Sequence, residues 1–124
     1  MQILVVDDEA PIRDLLSAFL ESSGHTVRVA ANGQDALRCL AASDSAFELI
    51  IADIKMPVMD GWELLRIVRE RKLGVPVVLV SGQINVSAED AARASAYRFL
   101  QKPFRLDELV GIVREIEAGR SATR

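Results

Sequence analysis

The chain is poor in the residues that most often build catalytic and metal centres. Among its 124 residues there is one histidine, His25, and one cysteine, Cys39. A lone cysteine excludes an intrachain disulfide and fits a reducing compartment. A lone histidine leaves little room for a histidine-based metal site or an on-chain catalytic histidine. No apolar run approaches the ~20 residues that span a bilayer, and no charged-then-apolar leader precedes the first strand-like run. The expected location is the cytoplasm, away from membranes. Excess charge is scarce too: the formal net charge is -3, which argues against direct nucleic-acid binding. Repeats and low-complexity linkers are absent, and the length suits one domain. A start at Met1, immediately before the first strand, is expected of a natural N-terminus.

What the chain does have is apolar content and an uneven charge. Half of the residues are hydrophobic, enough for a single core. Through Asp60 there are ten acidic against four basic residues; after it, eight against eleven. The first half therefore supplies an acidic site, and the second half a basic surface.

Strand-like and helix-like patterns alternate. "QILVV" (2–6), "TVRVA" (26–30), "FELIIA" (47–52), "PVVLVS" (76–81) and "YRFL" (97–100) are short runs, mostly apolar on both faces. Such runs suit a parallel sheet covered on both sides. Helical spacing predicts helices over 11–22, 33–43, 60–72, 87–95 and 105–118. The first carries a stripe of Ile12, Leu15, Leu16, Phe19 and Leu20, with Pro11 in its first turn and Gly24 at its exit. Asn32 is a suitable N-cap for the second. The third starts acidic and ends basic, as the helix dipole prefers. Ser87 and Asp90 stand at capping-box spacing in the Ala-rich fourth. The last is expected to bury Leu106, Leu109, Val110, Val113 and Ile116. The order is (βα)5, an α/β doubly wound, five-stranded parallel sheet in the flavodoxin-like order 2-1-3-4-5. One domain over 1–119 and a short tail over 120–124 are expected.

Sites in such folds lie at the C-terminal ends of the strands. Strand 1 ends in Asp7-Asp8-Glu9, strand 3 in Asp53, strand 4 in Ser81-Gly82, and strand 5 just before Lys102-Pro103. One aspartate after a strand merely marks where the chain leaves the core. Several carboxylates, a hydroxyl and an ammonium on adjacent strand ends need another reason. Like charges gathered there repel by of order 1 kcal/mol or more per close pair at intermediate dielectric. A hard divalent cation relieves this, and oxygen ligands without His or Cys point to Mg²⁺. A carboxylate beside Mg²⁺ can attack a phosphoryl group. Mg²⁺, Lys102, and the Ser81 hydroxyl with a backbone N–H can then share the three equatorial oxygens. Asp53 is the best-placed nucleophile, from mid-sheet; Asp7 and Asp8 are better placed as ligands. Gly82 keeps the approach open.

With "ILVVDDE", "ADIKMPVMDG", "VLVSG" and "LQKPF" in this order, the chain resembles a response-regulator receiver domain, the phosphoacceptor module of two-component signalling. The resemblance covers essentially the whole chain. It implies that Asp53 is phosphorylated by a phosphohistidine of a sensor histidine kinase or a histidine phosphotransfer protein. It implies direct Mg²⁺ ligation by Asp8, Asp53 and the Lys55 backbone carbonyl, with Asp7 acting through water. Ser81 and Phe99 match the switch pair, Lys102 the family's lysine, and Pro103 the proline whose preceding peptide is usually cis. Lys55 and Gln83 flank the site where the family tunes the lifetime of its phosphoryl group, and Met56 lies in the same loop. The face formed by the fourth helix, strand 5 and the last helix is where the family binds downstream proteins or forms homodimers; Arg93, Arg98 and Arg105 lie on these segments. Two departures stand out: Ser95 replaces the usual glycine, and Phe99 lacks a tyrosine hydroxyl. The resemblance implies no enzyme in the ordinary sense, but a module that assists its own phosphorylation and dephosphorylation.

Two other functions are compatible with parts of the pattern. A haloacid-dehalogenase-type phosphohydrolase also places an Asp nucleophile after a strand, but wants a second Asp two residues on, where this chain has Lys55. A pseudo-receiver would share the fold and act without phosphorylation, usually losing one of the acids or the lysine; this chain keeps them. Met56 and Met59 are read as packing residues, Trp62 as lying near the acidic end or partly exposed, and His25 as sitting at the opposite end of the sheet.

Overall fold

Apolar strands alternate their side chains between two faces, so each can feed two cores at once. The computed structural model describes residues 1–42, 47–82 and 96–122. Its elements are β1 (Gln2–Val6), α1 (Ala10–Ser22), β2 (Thr26–Ala30), α2 (Gly33–Ala42), β3 (Leu49–Asp53), α3 (Gly61–Glu70), β4 (Val77–Ser81), β5 (Arg98–Gln101) and α4 (Leu106–Ala122). The strands form one parallel sheet in the order β2-β1-β3-β4-β5, as the alternation predicts. The predicted helix over 87–95 lies outside the described residues, as do Gln83, Arg93 and Ser95.

The period of two divides the core. Leu4, Val6, Ile50, Ala52, Val77 and Leu79 point to one side, where Leu64, Leu65 and Val68 of α3 and Ala36 of α2 meet them. Ile3, Val5, Leu49, Ile51, Val78 and Val80 point to the other, against Leu16 and Leu20 of α1 and Leu109, Val113 and Ile116 of α4. Full burial of one such side chain contributes about 1.5–3 kcal/mol, and β3 and β4 are buried at every residue.

Local signals set the ends of the helices. Pro11 sits in the first turn of α1, where its missing N–H costs nothing. Gly24, at φ +93°, takes the left-handed turn that ends this helix. Asn32 Oδ1 accepts from the Asp35 N–H at 2.8 Å, and Asp60 Oδ1 from the Glu63 N–H at 2.9 Å, capping α2 and α3.

Two expected core residues are not core. Leu15 is 56% and Leu106 36% exposed. The apolar arc of α1 that meets the sheet is centred on Leu16 and Leu20, and Leu15 lies about 100° around the helix from Leu16. Leu106 opens α4 before that helix settles onto the sheet. Both line an open apolar groove of about 400 Å³ with Ile12, Leu16, Pro103 and Phe104. Val110 is only half-buried, while Ile112, which the pattern does not single out, is buried. β3 starts at Leu49 rather than residue 47, and β5 covers 98–101 rather than 97–100. The backbone of α4 runs on to Ala122, past residue 118, where its apolar pattern stops.

Candidate functional site

Register brings the polar strand ends together. Val6 pairs with Ala52, so Asp7 follows β1 beside Asp53, the last residue of β3. Asp53 pairs with Val80, which sets Ser81 one step beyond it, and Ser81 pairs with Gln101, which sets Lys102 one step beyond that. Three polar or charged residues are buried among those described: Asp7, Asp53 and Ser81. All three lie at this edge.

The distances make one charge cluster of it. Carboxylate oxygens of Asp7, Asp8, Glu9 and Asp53 all lie within 4.8 Å of one another. The Lys102 ammonium is 3.1 Å from Asp53 Oδ2, 3.6 Å from Asp7 Oδ2 and 3.9 Å from Glu9 Oε1. Burial raises the pKa of Asp7; the Glu9 N–H, which donates to its Oδ1 at 2.9 Å, and Lys102 oppose the rise, while the charges of Asp53 and Asp8 add to it. Burial works against the Lys102 ammonium, but its hydrogen bond to Asp53 and the charges of Asp53, Asp7 and Glu9 outweigh it and raise its pKa. Lys102 thus pairs with three of the four carboxylates. An all-oxygen set with surplus negative charge, two of its members buried, fits a hard cation.

The backbone around Asp53 is packed closely. The Ile54 N–H donates to the Val80 carbonyl at 2.8 Å, and the Gly61 N–H to the Ile54 carbonyl at 2.8 Å. A Cβ on Gly61 would stand 2.6 Å from the Asp53 carbonyl oxygen and 2.9 Å from Ile54 Cα. Only glycine lets α3 begin against the peptide that carries Asp53. Gly82 is exposed, and a Cβ there would meet nothing within 4 Å among the described residues.

The other expected residues fall as follows. Lys55 is exposed, and Met56 is half-buried against the α2–α3 side of the core with Met59 and Trp62. Phe99 packs, half-buried, on the same side. The Lys102–Pro103 peptide is cis. His25 lies at the far end of the sheet, its Nδ1 3.0 Å from the Met1 nitrogen. On the β5–α4 surface, Arg98 pairs with Glu115 at 2.8 Å and lies 4.9 Å from the centre of the Tyr97 ring; Arg105 pairs with Asp107. Gln83 lies outside the described residues.

Three participants escape a reading of the sequence for ligands. Glu9 joins the cluster; its place directly after Asp7-Asp8 is the available signal. Arg13 Nη1 donates to the Asp7 carbonyl at 2.6 Å, tying α1 to the acidic turn. Gly61 falls in the first turn of the helix expected over 60–72, and nothing in the sequence marks it as a neighbour of Asp53.

Comparison with known proteins agrees with the geometry. The chain matches the family model of the response regulator receiver domain over residues 3–114. It is 37% identical to the DNA-binding transcriptional regulator NtrC of Rhizobium meliloti over 112 residues, which are 90% of this chain and 23% of that protein. It is 41% identical to the nitrogen assimilation regulatory protein NtrX of Azorhizobium caulinodans over 113 residues, 89% of this chain and 24% of that protein. The chain thus spans about a quarter of the length of these curated relatives. Among solved structures, a receiver domain protein from Clostridium thermocellum superposes with a TM-score of 0.90 at 25% identity, covering 99% of this chain and 98% of that one. TrrA of Thermotoga maritima, solved in complex with Mg²⁺-BeF, superposes with a TM-score of 0.82 at 32% identity, covering 93% and 97%. Among the described residues no helix is long and apolar enough to cross a membrane. A parallel sheet in this order, with buried aspartates and a lysine at one edge, and matches of this extent, have one reading: the chain belongs to the response regulator receiver domain family and has the receiver role of two-component signalling.

Proposed function

We propose that Asp53 is the phosphoacceptor and that residues 1–119 act as one phosphorylation switch. The donor is a phosphohistidine on a sensor kinase or histidine phosphotransfer protein. A carboxylate oxygen of Asp53 attacks phosphorus; the P–N bond to the donor breaks, and the imidazole keeps the bonding pair. The observation that carries this reading is Lys102, whose ammonium lies within 4 Å of Asp53, Asp7 and Glu9 at once. It can neutralise charge on Asp53 beforehand and on a phosphoryl oxygen afterwards. The Ser81 hydroxyl, on the neighbouring strand end, offers a second donor, and Gly82, with no side chain, leaves room for the phosphoryl group.

Asp8, Asp53 and the Lys55 carbonyl would hold Mg²⁺ directly, with Asp7 acting through water. Bound there, the ion supplies charge neutralisation on the transferring oxygens. The acidic cluster supports this assignment, and TrrA, solved with Mg²⁺-BeF, shows a relative that takes the ion. The chain assists its own phosphorylation and, by admitting water, its own dephosphorylation; Lys55, exposed two residues past Asp53, flanks that path. Phosphorylation draws Ser81 toward Asp53, and Phe99 follows inward. This shifts a two-state population at the surface that includes β5 and α4, where a downstream protein or a second copy binds.

A haloacid-dehalogenase-type hydrolase is disfavoured by Lys55 at the position of its second aspartate. A phosphorylation-independent module is disfavoured because every acidic and lysine position is kept. Incubation with Mg²⁺ and a small acyl phosphate, followed by intact-mass spectrometry, tests the proposal. One phosphoryl group is expected on the wild type and none on Asp53→Ala; equal adducts on both would refute it.

A further inference from the structure

The loop from Ile54 to Asp60 carries a conformational oddity beside the proposed phosphoacceptor. The Met59 N–H donates to the Pro57 carbonyl at 2.7 Å, with Val58 between them at φ +71°. This is a γ-turn of the rare, strained hand. A β-branched residue is the least suited to it. Val58 gains no burial in return, since it is 72% exposed. Strain of this kind persists only where the surroundings over-determine it.

The surroundings here are two glycines. At the end of the loop, Gly61 closes on the Ile54 carbonyl and on the Asp53 peptide, with no space for a Cβ. On its flank, the Met59 side chain fills the space above Gly33, the first residue of α2. A Cβ on Gly33 would lie 2.8 Å from Met59 Cγ and 2.9 Å from both Met59 Cβ and Sδ. Val58 turns outward in the same step that turns Met59 inward. The loop is therefore held at Gly61 by backbone and at Gly33 by one side chain. Lys55, whose carbonyl is proposed to ligate Mg²⁺, lies inside the segment so held.

We infer that Met59, seated in the notch at Gly33, is a positioning residue for the Asp53–Lys55 backbone. It touches neither ion nor phosphoryl group; it fixes the loop from which the Lys55 carbonyl is offered. The inference rests on the proposed Mg²⁺ site, so the test has a part that needs no metal. Neighbours that orient ligands commonly change metal affinity about 10–100-fold, and a loop anchor two steps removed belongs near the lower figure.

The variants are Gly33→Ala, whose methyl would push Met59 out, Met59→Ala, which empties the notch, and the double variant. Mg²⁺ affinity is read from backbone amide shifts in a titration of the full chain. Amide exchange of Gly61 is read without metal. Each single variant should weaken Mg²⁺ binding about tenfold and speed exchange at Gly61. The double variant should lose less than the product of the two, because both act through one contact. Should Gly33→Ala not fold, Met59→Ala decides alone. Mg²⁺ affinity and Gly61 exchange equal to wild type in Met59→Ala, or fully independent losses in the double variant, would overturn the inference. A wild type that binds no Mg²⁺ would instead remove the proposed ion site, and Gly61 exchange would still decide whether Met59 anchors the loop.

Discussion

Two glycines at one end of the sheet serve a purpose opposite to that of two at the other. At the end away from the acidic cluster, Gly24 and Gly74 adopt φ values of +93° and +69°, and a Cβ on either would meet nothing within 4 Å. These glycines serve the backbone: Gly24 turns the chain out of α1, and Gly74 takes a left-handed φ in the loop before β4, both at low cost. At the acidic end, Gly33 and Gly61 have ordinary backbone angles and no space at all. These glycines serve the neighbours, letting Met59 and the Asp53 peptide come close. The polar groups divide the same way. The buried Asp7, Asp53 and Ser81 all lie at the acidic end. The other end has His25 beside the Met1 nitrogen and half-exposed. One end is built for economical turning, the other for fixed geometry under electrostatic stress.

This contrast can be broken by substitution, and the largest effect is expected at Gly61. Gly61→Ala places a methyl against backbone atoms of Asp53 and Ile54, which have no rotamer by which to yield. Phosphorylation by an acyl phosphate should fall at least tenfold, as about 1 Å of misplacement can cost 10²-fold in such chemistry. The measurement is the rate of adduct formation by mass spectrometry. A rate within a factor of two of wild type would mean that the close packing around Asp53 is incidental.

An intermediate effect of opposite sign is expected at Asp7. Its folded-state pKa is raised, chiefly by burial. An acid with a raised folded-state pKa destabilises the folded chain once pH exceeds that value, and the penalty disappears below its ordinary pKa of 3.8. Asp7→Asn keeps an acceptor for the Glu9 N–H and removes the charge. The metal-free variant should melt a few degrees higher than wild type at neutral pH, a gain of about 1 kcal/mol. That gain should shrink as pH falls through the Asp7 titration toward 3.8, and the stabilisation by Mg²⁺ should be reduced. Thermal melts with and without Mg²⁺ across this pH range check all three statements.

The smallest effect sharpens the other side of the comparison. Gly24→Ala strains a left-handed residue but presses on nothing. A stability loss of about 1 kcal/mol is expected, with unchanged phosphorylation once folded. Denaturant unfolding and the labelling assay together separate the two kinds of glycine.

Much of the acidic end was legible because its chemistry is local. Apolar runs fix the strands, the alternating order fixes the sheet, and the strand ends then name the residues: Asp53 and Ser81 close β3 and β4, and Asp7 and Lys102 come one step after β1 and β5. What stayed hidden depends on residues meeting across the fold. Nothing local says that Arg13 reaches back to the Asp7 carbonyl, or that Gly33 receives Met59. Leu15 and Leu106 look like core by period alone, but period gives the apolar arc and not its width against the sheet. The γ-turn at Val58 was unreadable for a further reason: valine is among the last residues that local propensity would place there.

The central claim is that the charged end of the sheet exists to make Asp53 a phosphoryl acceptor. Reductive trapping tests it most directly. Borohydride converts an aspartyl phosphate to homoserine, and peptide mass spectrometry then locates the changed residue. After treatment with Mg²⁺ and an acyl phosphate, the account predicts homoserine at position 53, absent when Mg²⁺ is chelated. Conversion at Asp7 or Asp8 instead, or no conversion at any aspartate, would contradict it.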